Sequence, residues 1–213
     1  MQSISIESKK VSPNKILCVG RNYLAHINEL NNEIPEDMVL FFKPNSSIAS
    51  ELKSEHKTGN RTAADPEDAI HYETEICFIY AQNSLSAVGI GLDLTKRALQ
   101  SKLKAKGLPW ERAKAFDGAA VFSDFVTIDE VSEQLSISLL IDGQLTQSAH
   151  ISQMIYSPEQ ILEEIKKFVT LEDGDIIMTG TPAGVGQVQR DSVFKAELHC
   201  ADRLLVRAQW QAK

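Results

Sequence analysis

Residues 71–80 read HYETEICFIY, with two glutamates ahead of a run of apolar, β-branched and aromatic side chains. Such a run is typical of a buried β-strand. Because side chains at positions i and i+2 of a strand lie on the same face, Glu73 and Glu75 are expected to lie side by side. The segment therefore predicts a β-rich fold in which two carboxylates share one face of a strand.

Further short apolar runs occur on both sides of this segment, and most are bounded by Gly, Pro, Asn or Asp. Runs of this length with such ends predict strands. In addition to His71–Tyr80, the predicted strands are Lys15–Val19, Val39–Phe42, Ala87–Leu92, Ser136–Ile141, Asp175–Thr179, Val193–Leu198 and Leu204–Trp210. We expect a mixed α/β, strand-rich fold built around a rolled sheet with a few peripheral helices.

Two helices are marked by their ends. Ser157-Pro158-Glu159-Gln160 is a capping box with proline at the first helical position, and an apolar stripe of Ile161, Leu162, Ile165, Phe168 and Val169 follows it. The second helix is predicted from Thr95 to Lys106, before Gly107-Leu108-Pro109. In this second helix we expect Leu99 and Leu103 to face the core and Lys96, Lys102 and Lys106 to face solvent.

The chain shows no internal repeat or low-complexity linker, so a single domain over residues 1–213 is expected. The polar segment Ser54–Asp68, with Gly59-Asn60 and Asp65-Pro66, is predicted to be a long surface loop.

The composition excludes several classes of protein. The chain has 22 basic and 29 acidic residues and a net charge of −7, which opposes binding to nucleic acid. No apolar run is long enough to span a membrane, and the polar start, Met1–Lys10, does not resemble a signal peptide, so a cytoplasmic protein is expected. Cys18, Cys77 and Cys200 are widely spaced, which predicts reduced core residues rather than a disulfide or zinc site.

The first candidate site is the glutamate pair with Asp93, which ends the next apolar run. Two like charges on one strand face repel each other unless a cation lies between them. Three carboxylates with open positions suit Mg²⁺ or Mn²⁺. From spacing alone, a solvated strand face remains the alternative.

Two further motifs follow predicted strands. If the chain after Asn22 is helical, His26 and Glu29 are neighbours at i and i+3, and the carboxylate can orient the imidazole for acid–base chemistry. A surface His/Glu pair is the alternative. Residues 179–186 read TGTPAGVG, a loop whose amides and hydroxyls suit an anion; the alternative is a tight β-turn.

The fourth set consists of polar side chains beside apolar or aromatic neighbours, where an anion could bind. Its members are Lys43, Arg97, Gln100 and Lys114. Each cation taken alone also fits an ordinary surface charge.

In their order along the chain, these motifs resemble those of the fumarylacetoacetate hydrolase family, and in particular its small single-domain branch of acylpyruvases and oxaloacetate decarboxylases or tautomerases. The resemblance covers most of the chain. It comprises Cys18-Val19-Gly20-Arg21-Asn22-Tyr23, His26 with Glu29, Phe42-Lys43-Pro44, His71-Tyr72-Glu73-Thr74-Glu75, Leu92-Asp93-Leu94-Thr95, Gly107-Leu108-Pro109-Trp110, Lys114 to Asp117, Gly174-Asp175-Ile176-Ile177 and Thr179 to Gly186.

The resemblance implies a β-roll fold, a homodimer, and one Mg²⁺ or Mn²⁺ per subunit held by Glu73, Glu75 and Asp93. It implies that His26 with Glu29 forms an acid–base dyad on a segment that closes over the substrate, and that Lys114 stabilises an enolate. A small anionic oxo acid is the implied partner. Its expected contacts are Arg21, Asn22, Lys43, Arg97, Gln100 and Thr181.

The chain departs from the family pattern at two places. Tyr80–Val88 is a short polar connection where many relatives carry about ten more residues, so the edge of the site is expected to differ. Ala98 replaces the acid that usually follows the arginine of the family's Asp-x-Thr-x-Arg-Asp motif, which removes a helix-face charge rather than a metal ligand.

Hydrolysis of the carbon–carbon bond of a small acylpyruvate, through an enolate, is the activity we expect first from the resemblance. Oxaloacetate decarboxylation or keto–enol tautomerisation is the nearest alternative. Hydratase or isomerase chemistry on dienoic diacids is a third possibility, and a non-catalytic metal or oxo-acid binding protein is the alternative from another class.

Overall fold

The structure is a computed structural model that describes residues 1–31, 33–57 and 65–213. These residues form sixteen strands and four α-helices. The strands are β1 (Ile4–Ile6), β2 (Lys9–Val11), β3 (Lys15–Gly20), β4 (Val39–Pro44), β5 (Ile48–Ala49), β6 (His71–Tyr72), β7 (Thr74–Ala81), β8 (Ser84–Asp93), β9 (Ala120–Phe122), β10 (Val126–Thr127), β11 (Leu135–Ile141), β12 (Gln144–His150), β13 (Ile176–Met178), β14 (Gly186–Gln187), β15 (Val193–Cys200) and β16 (Arg203–Gln211). The helices are α1 (Leu24–Glu29), α2 (Arg97–Ala105), α3 (Glu111–Lys114) and α4 (Pro158–Lys166).

The larger sheet has eight strands in the order β4-β3-β13-β7-β8-β9-β5, with β10 paired to β8. It is mixed, because β13 runs parallel to β3 and β5 parallel to β9, whereas the other pairs are antiparallel. Strands β7 and β8 lie at its centre and are buried on both faces, which explains their nearly continuous apolar sequences. Polar side chains at the ends of these central strands can therefore be buried.

The second sheet is antiparallel, in the order β12-β11-β15-β16. Its strands alternate between buried and exposed residues, so one face packs on the core and the other faces solvent. Helix α4 adds Ile161, Leu162 and Ile165 to the same core. A smaller cluster on the opposite face of the large sheet includes Ile16, Ile176 and Phe125. This arrangement confirms the prediction of a strand-rich mixed fold with a curled sheet.

All eight predicted strands are present, with small shifts at their ends. The segment predicted as one strand over His71–Tyr80 is interrupted at Glu73, which lies between β6 and β7. Seven strands were not predicted. The longest is β12, whose sequence QLTQSAH is polar and half exposed and lacks apolar alternation. The others have only two or three residues each: β1, β2, β5, β9, β10 and β14.

Both predicted helices exist, but two side-chain orientations were wrong. Lys96 was expected to face solvent, yet it is 1% exposed because it precedes α2 and pairs with buried Asp68. Phe168 was expected on the buried stripe of α4, yet the helix ends at Lys166 and the Phe168 ring is 55% exposed, edge-on to Phe42.

The short connection after Tyr80 does not border the site, which corrects the expectation drawn from it. It is a two-residue hairpin turn at Gln82 and Asn83, with φ of 51° and 64°. The turn closes the end of β7 that lies six residues beyond Glu75, or about 20 Å along an extended strand.

Several other expectations concern parts of the chain away from the site. Gly59-Asn60, within the predicted surface loop, lies outside the described residues. Cys18, Cys77 and Cys200 are all free, and the first two are buried. Among the described residues, no helix is long and apolar enough to cross a membrane.

Candidate active site

Three buried carboxylates meet where β7 begins and β8 ends. Thr74 pairs with Leu92 across these strands, and the amide of Asp93 donates a 2.9 Å hydrogen bond to the carbonyl oxygen of Glu73. One carboxylate oxygen from each of Glu73, Glu75 and Asp93 lies within 4.8 Å of the others. The break in the strand at Glu73 therefore does not separate the two glutamates, and the predicted triad is present.

Lys114 lies between two members of the triad. Its ammonium donates hydrogen bonds of 2.7 Å to Oε2 of Glu73, 2.6 Å to Oδ2 of Asp93 and 2.7 Å to Oγ1 of Thr95. It also lies 5.0 Å from the ring centroid of Phe41. The aromatic ring and three oxygens hold this cation in one place.

Two more cations complete the charge balance around the triad. Arg97 donates to Oε1 of Glu73 through Nη2 and to Oε1 of Gln100 through Nη1, the latter at 2.9 Å. Lys43 is fully buried, with its ammonium 2.8 Å from Oδ1 of Asp93 and hydrogen-bonded to the carbonyl oxygen of Lys114. Lys43, expected to contact substrate, thus supports Asp93 and is absent from the cavity wall.

The pKa values of the two glutamates move in opposite directions. Burial by itself raises the pKa of Glu73, but the charges of Lys114 and Arg97 outweigh it and hold the pKa well below its usual value. The pKa of Glu75 lies well above its usual value, first because of burial and then because of the charges of Asp93 and Glu73. Glu75 is thus the member of the triad without a neutralising cation.

His26 and Glu29 lie on α1, as the i, i+3 spacing predicted. Nδ1 of His26 is 3.2 Å from Oε2 of Glu29. The imidazole is 6% exposed and lines the same cavity as the triad, whereas the Glu29 side chain is 30% exposed. The pair is therefore not an ordinary surface contact.

The glycine-rich loop holds carboxylates of the protein itself. The amide of Gly180 donates to Oε2 of Glu75 at 2.8 Å, and the amide of Gly184 donates to Oε1 of Glu29 at 2.9 Å. The Thr181 hydroxyl donates to the carbonyl oxygen of Thr74 at 2.9 Å and accepts from the Gln147 amide at 2.9 Å. This loop connects the triad to the dyad, and Thr181 also lines the cavity.

Asn22 is not part of the cavity wall. Its side chain donates to the carbonyl oxygens of Tyr156 and Thr179 and accepts from the amide of Tyr156. In place of the expected substrate contact, it fixes the segment before α1 to the glycine-rich loop. Arg21 does line the cavity, and its Nη1 donates to the carbonyl oxygen of Glu33 at 3.2 Å.

The cavity is small, about 40 Å³, and mostly polar. It adjoins a wider groove of about 510 Å³. The two share four residues in their walls: Val39, Phe41, Trp110 and Lys114. Lys104 and Trp110 belong to the cavity wall but were missed as site residues. The signal for Lys104 was its position four residues after Gln100, on the same face of α2.

A family model described as fumarylacetoacetate (FAA) hydrolase C-terminal matches residues 15–204 of the chain. The chain belongs to the fumarylacetoacetate hydrolase family. The resemblance inferred from the ordered motifs is thereby confirmed.

Similar proteins include two oxaloacetate enzymes and one enzyme of known structure. The chain is 34% identical over 191 residues to oxaloacetate tautomerase YcgM of Escherichia coli (strain K12), covering 82% of this chain and 84% of that protein. It is 36% identical over 194 residues to the mitochondrial oxaloacetate decarboxylase of Dictyostelium discoideum, covering 85% and 87%. It is also similar to the crystal structure of fumarylpyruvate hydrolase from Pseudomonas aeruginosa in complex with Mn²⁺ and pyruvate, with 28% identity, a TM-score of 0.84 and coverage of 99% and 95%.

Enzymes of the fumarylacetoacetate hydrolase family use a divalent metal, and the donor set of this chain fits one. Mg²⁺ and Mn²⁺ prefer carboxylate oxygens, and ligands of an octahedral ion with bonds of about 2.1 Å lie roughly 3–4.2 Å apart. The triad oxygens lie within 4.8 Å of one another, so small side-chain movements would bring all three onto one ion. Glu75, whose pKa is raised by burial and by its acidic neighbours, is the carboxylate that a cation would stabilise most.

Proposed function

We propose that the chain catalyses the keto–enol tautomerisation of oxaloacetate or a closely related small 2-oxo dicarboxylate. Relatives that are 34% and 36% identical over more than four fifths of the chain carry the names oxaloacetate tautomerase and oxaloacetate decarboxylase. This support favours oxaloacetate chemistry over the acylpyruvate hydrolysis that we expected first from the sequence.

One structural observation carries the proposal: a paired histidine lines the same small cavity as the carboxylate cluster and its lysine. Tautomerisation moves one proton between C3 and the 2-oxo oxygen and needs no second reactant. A cavity of about 40 Å³ holds about three water molecules. A small cavity with an acid–base pair in its wall suits proton transfer within one small molecule.

In this mechanism His26 removes or returns the proton at C3. Glu29 accepts a hydrogen bond from Nδ1, which fixes the tautomer that leaves Nε2 as the base. Nε2 makes no hydrogen bond within the described chain, so it is available to substrate. The dyad therefore supplies general acid–base catalysis.

The cations of the site stabilise the negative charge that develops on oxygen. Lys114 is desolvated and held by fixed partners, so its field acts without reorganisation. Gln100 uses its oxygen to accept from Arg97, which leaves its amide protons for a carboxylate of the substrate. When bound by Glu73, Glu75 and Asp93, a divalent cation would supply Lewis-acid stabilisation of the substrate oxygens.

A second candidate function, acylpyruvate hydrolysis, is favoured by the groove beside the cavity. Its wall includes Met38, Leu40, Phe42 and Pro109, which suit an apolar acyl tail. Hydrolysis would require water to reach the 4-oxo carbon next to His26.

The test begins with metal-stripped protein that is then reloaded with Mg²⁺ or Mn²⁺. Enolic oxaloacetate and acetylpyruvate are offered separately, with absorbance reporting the enol and proton NMR reporting products. We expect accelerated enol-to-keto conversion of oxaloacetate, with neither carbon dioxide release nor cleavage. Pyruvate with acetate from acetylpyruvate would establish the hydrolase instead, and rapid carbon dioxide release from oxaloacetate would establish a decarboxylase.

A further inference from the structure

Lys104 lies in the wall of the active-site cavity, near the end of α2. Its ammonium is 4.8 Å from the ring centroid of Trp110, the residue directly before α3. The ring supports the cation from one side and leaves its remaining donors directed away from the ring.

Lys104 differs from the other cations that act on the triad. Arg97 and Lys114 donate hydrogen bonds to Glu73, and Lys43 is paired with Asp93. In the described part of the chain, the Lys104 ammonium has neither a hydrogen bond nor an ion pair with a carboxylate. It therefore provides a positive charge that no side chain in the site neutralises.

The surroundings make this isolated charge unfavourable. The pKa of Lys104 is lowered to about 8, first by burial and then by the charges of Arg21, Arg97 and Lys114. A partly desolvated ammonium near three other cations is stabilised by any anion that binds beside it. At neutral pH the group is still mostly protonated, so it can attract that anion.

The position of Lys104 also matches a second anionic group on a short substrate. Gln100 and Lys104 lie one turn apart on the same face of α2, a rise of about 6 Å. Both line the cavity, and Gln100 adjoins Arg97. A four-carbon dicarboxylate has its two acidic groups at a comparable separation.

We propose that Lys104 binds the distal carboxylate of a dicarboxylic 2-oxo acid and thereby selects dicarboxylates over monocarboxylates of the same length. The assignment rests on the proposed function, since it presumes that the cavity accepts a 2-oxo acid. It adds a specificity-determining residue to that site.

The test compares the binding of two four-carbon 2-oxo acids that differ in the distal carboxylate, oxaloacetate and 2-oxobutyrate. Dissociation constants are measured by calorimetry on Mn²⁺-loaded protein. Lys104→Met removes the charge while keeping a long apolar side chain on Trp110, and Lys104→Arg keeps the charge. Lys102→Met is the matched control, because Lys102 points away from the cavity and pairs with Glu67 on the surface.

We expect Lys104→Met to weaken oxaloacetate binding about tenfold, as for loss of one charge-assisted hydrogen bond, and to change 2-oxobutyrate binding less than twofold. Lys104→Arg and Lys102→Met should stay within threefold of the wild type for both ligands. Equal weakening of both ligands in Lys104→Met, or no weakening of either, would overturn the assignment.

The outcomes separate this inference from the proposed function. Wild-type protein that binds oxaloacetate in a Lys104-dependent way without interconverting its tautomers supports the inference and refutes the proposed activity. If the protein is an active tautomerase but Lys104→Met binds oxaloacetate as tightly as the wild type, the inference about Lys104 is overturned and the proposed function stands.

Discussion

The backbone amide of Gly184 donates a 2.9 Å hydrogen bond to Oε1 of Glu29, which lies 155 residues earlier in the chain. The other oxygen of the same carboxylate is 3.2 Å from Nδ1 of His26. The glycine-rich loop thus orients Glu29, and Glu29 orients the imidazole. Because the amide of Gly180 in this loop also binds Glu75, one backbone segment sets the position of both the dyad and the carboxylate triad.

Gly184→Ala is expected to damage both stability and activity. Gly184 has a φ of +102°, and a Cβ there would lie 2.1 Å from the carbonyl oxygen of Thr146, so the loop must shift and its hydrogen bond to Glu29 is disturbed. We expect the free energy of unfolding to fall by about 2–3 kcal/mol and kcat to fall at least tenfold. Urea unfolding and steady-state kinetics provide the measurements.

Gly143→Ala is the control for Gly184→Ala. Gly143 has a φ of +83° but open space around the added Cβ, so it carries the backbone strain without the collision. It should lose about 1 kcal/mol and keep kcat within twofold. Equal effects of the two substitutions on kcat would contradict the role given to the loop.

His26→Ala is expected to lower the tautomerase kcat by about 10² or more, because it removes the general base. Glu29→Gln should cost less, since the amide oxygen still accepts from Gly184 while the orienting charge is lost. His199→Ala is a matched control, because His199 forms a similar 3.1 Å contact with Glu197 on the second sheet, outside the site. A His26→Ala enzyme within threefold of wild type would eliminate the dyad assignment.

Glu75→Gln is expected to weaken Mn²⁺ binding at least about 100-fold, since even loss of an outer partner of a ligand often costs 10–100-fold. Among the described residues, Glu75 forms no ion pair, and its pKa is raised by burial and by the charges of Asp93 and Glu73, so it is the carboxylate that a bound cation would stabilise most. Calorimetric titration of metal-stripped protein measures the effect independently of activity. Glu197→Gln on the second sheet should bind Mn²⁺ like the wild type, and unchanged binding by Glu75→Gln would remove Glu75 from the ligand set.

Lys114→Met is expected to lower the free energy of unfolding of metal-free protein by about 3 kcal/mol, because buried Glu73 and Asp93 both lose a partner. Saturating Mn²⁺ should stabilise this variant more than it stabilises the wild type, since the ion replaces the lost positive charge. The comparison uses urea unfolding with and without Mn²⁺.

Lys96→Met is the control for that rescue. Lys96 and Asp68 form another buried ion pair, with both side chains less than 5% exposed, so its loss should also destabilise the protein. Mn²⁺ should stabilise Lys96→Met only as much as wild type. The interpretation of Lys114 fails if Mn²⁺ stabilises Lys114→Met and wild type equally.

Oxaloacetate binding is expected to weaken about fivefold between pH 7 and pH 9, because deprotonation of Lys104 cannot cost more than the tenfold expected for loss of its charge. The pKa of Lys104 is about 8, and only its protonated form attracts the distal carboxylate, so affinity falls as pH rises through this value. Four other charged groups act on Lys104. The pKa of Glu73 is lowered and the pKa of Lys114 is raised. The other two, Arg21 and Arg97, are arginines, which stay protonated. These groups therefore keep their charge over the range.

The matched measurement for the pH dependence is the same titration on Lys104→Arg. An arginine stays protonated, so the affinity of Lys104→Arg for oxaloacetate should not change between pH 7 and pH 9. Parallel pH profiles for wild type and Lys104→Arg would assign the titration to another group.

Much of the site could be predicted from local sequence. Glu73 and Glu75 are two residues apart at the start of a strand, and His26 and Glu29 are one helical turn apart, so periodicity alone places each pair together. Assigning Asp93 to the glutamates, and the whole set to one family, required the order of motifs along the chain. Residue spacing by itself left a solvated acidic face open as an alternative.

Other roles depended on contacts between distant segments. Asn22 and Lys43 stand beside site motifs in the sequence, yet their polar atoms are used by the chain itself, Asn22 by backbone groups near Tyr156 and Lys43 by Asp93. From the sequence, Lys96 was expected to be a surface lysine. In the structure it is paired with Asp68, which lies 28 residues away in the chain. Burial and pairing of a polar side chain are properties of the assembled structure.

The sequence by itself determined that this chain forms a strand-rich fold, belongs to the fumarylacetoacetate hydrolase family and has three carboxylates suited to a divalent cation, because those features follow from periodicity and ordered motifs. Only the tertiary structure decided which of the described cations around the cavity are paired with carboxylates and that Lys104 is not paired in this way. That distinction depends on distances between atoms from β4, β8, α2, α3 and Glu73, which no local pattern encodes.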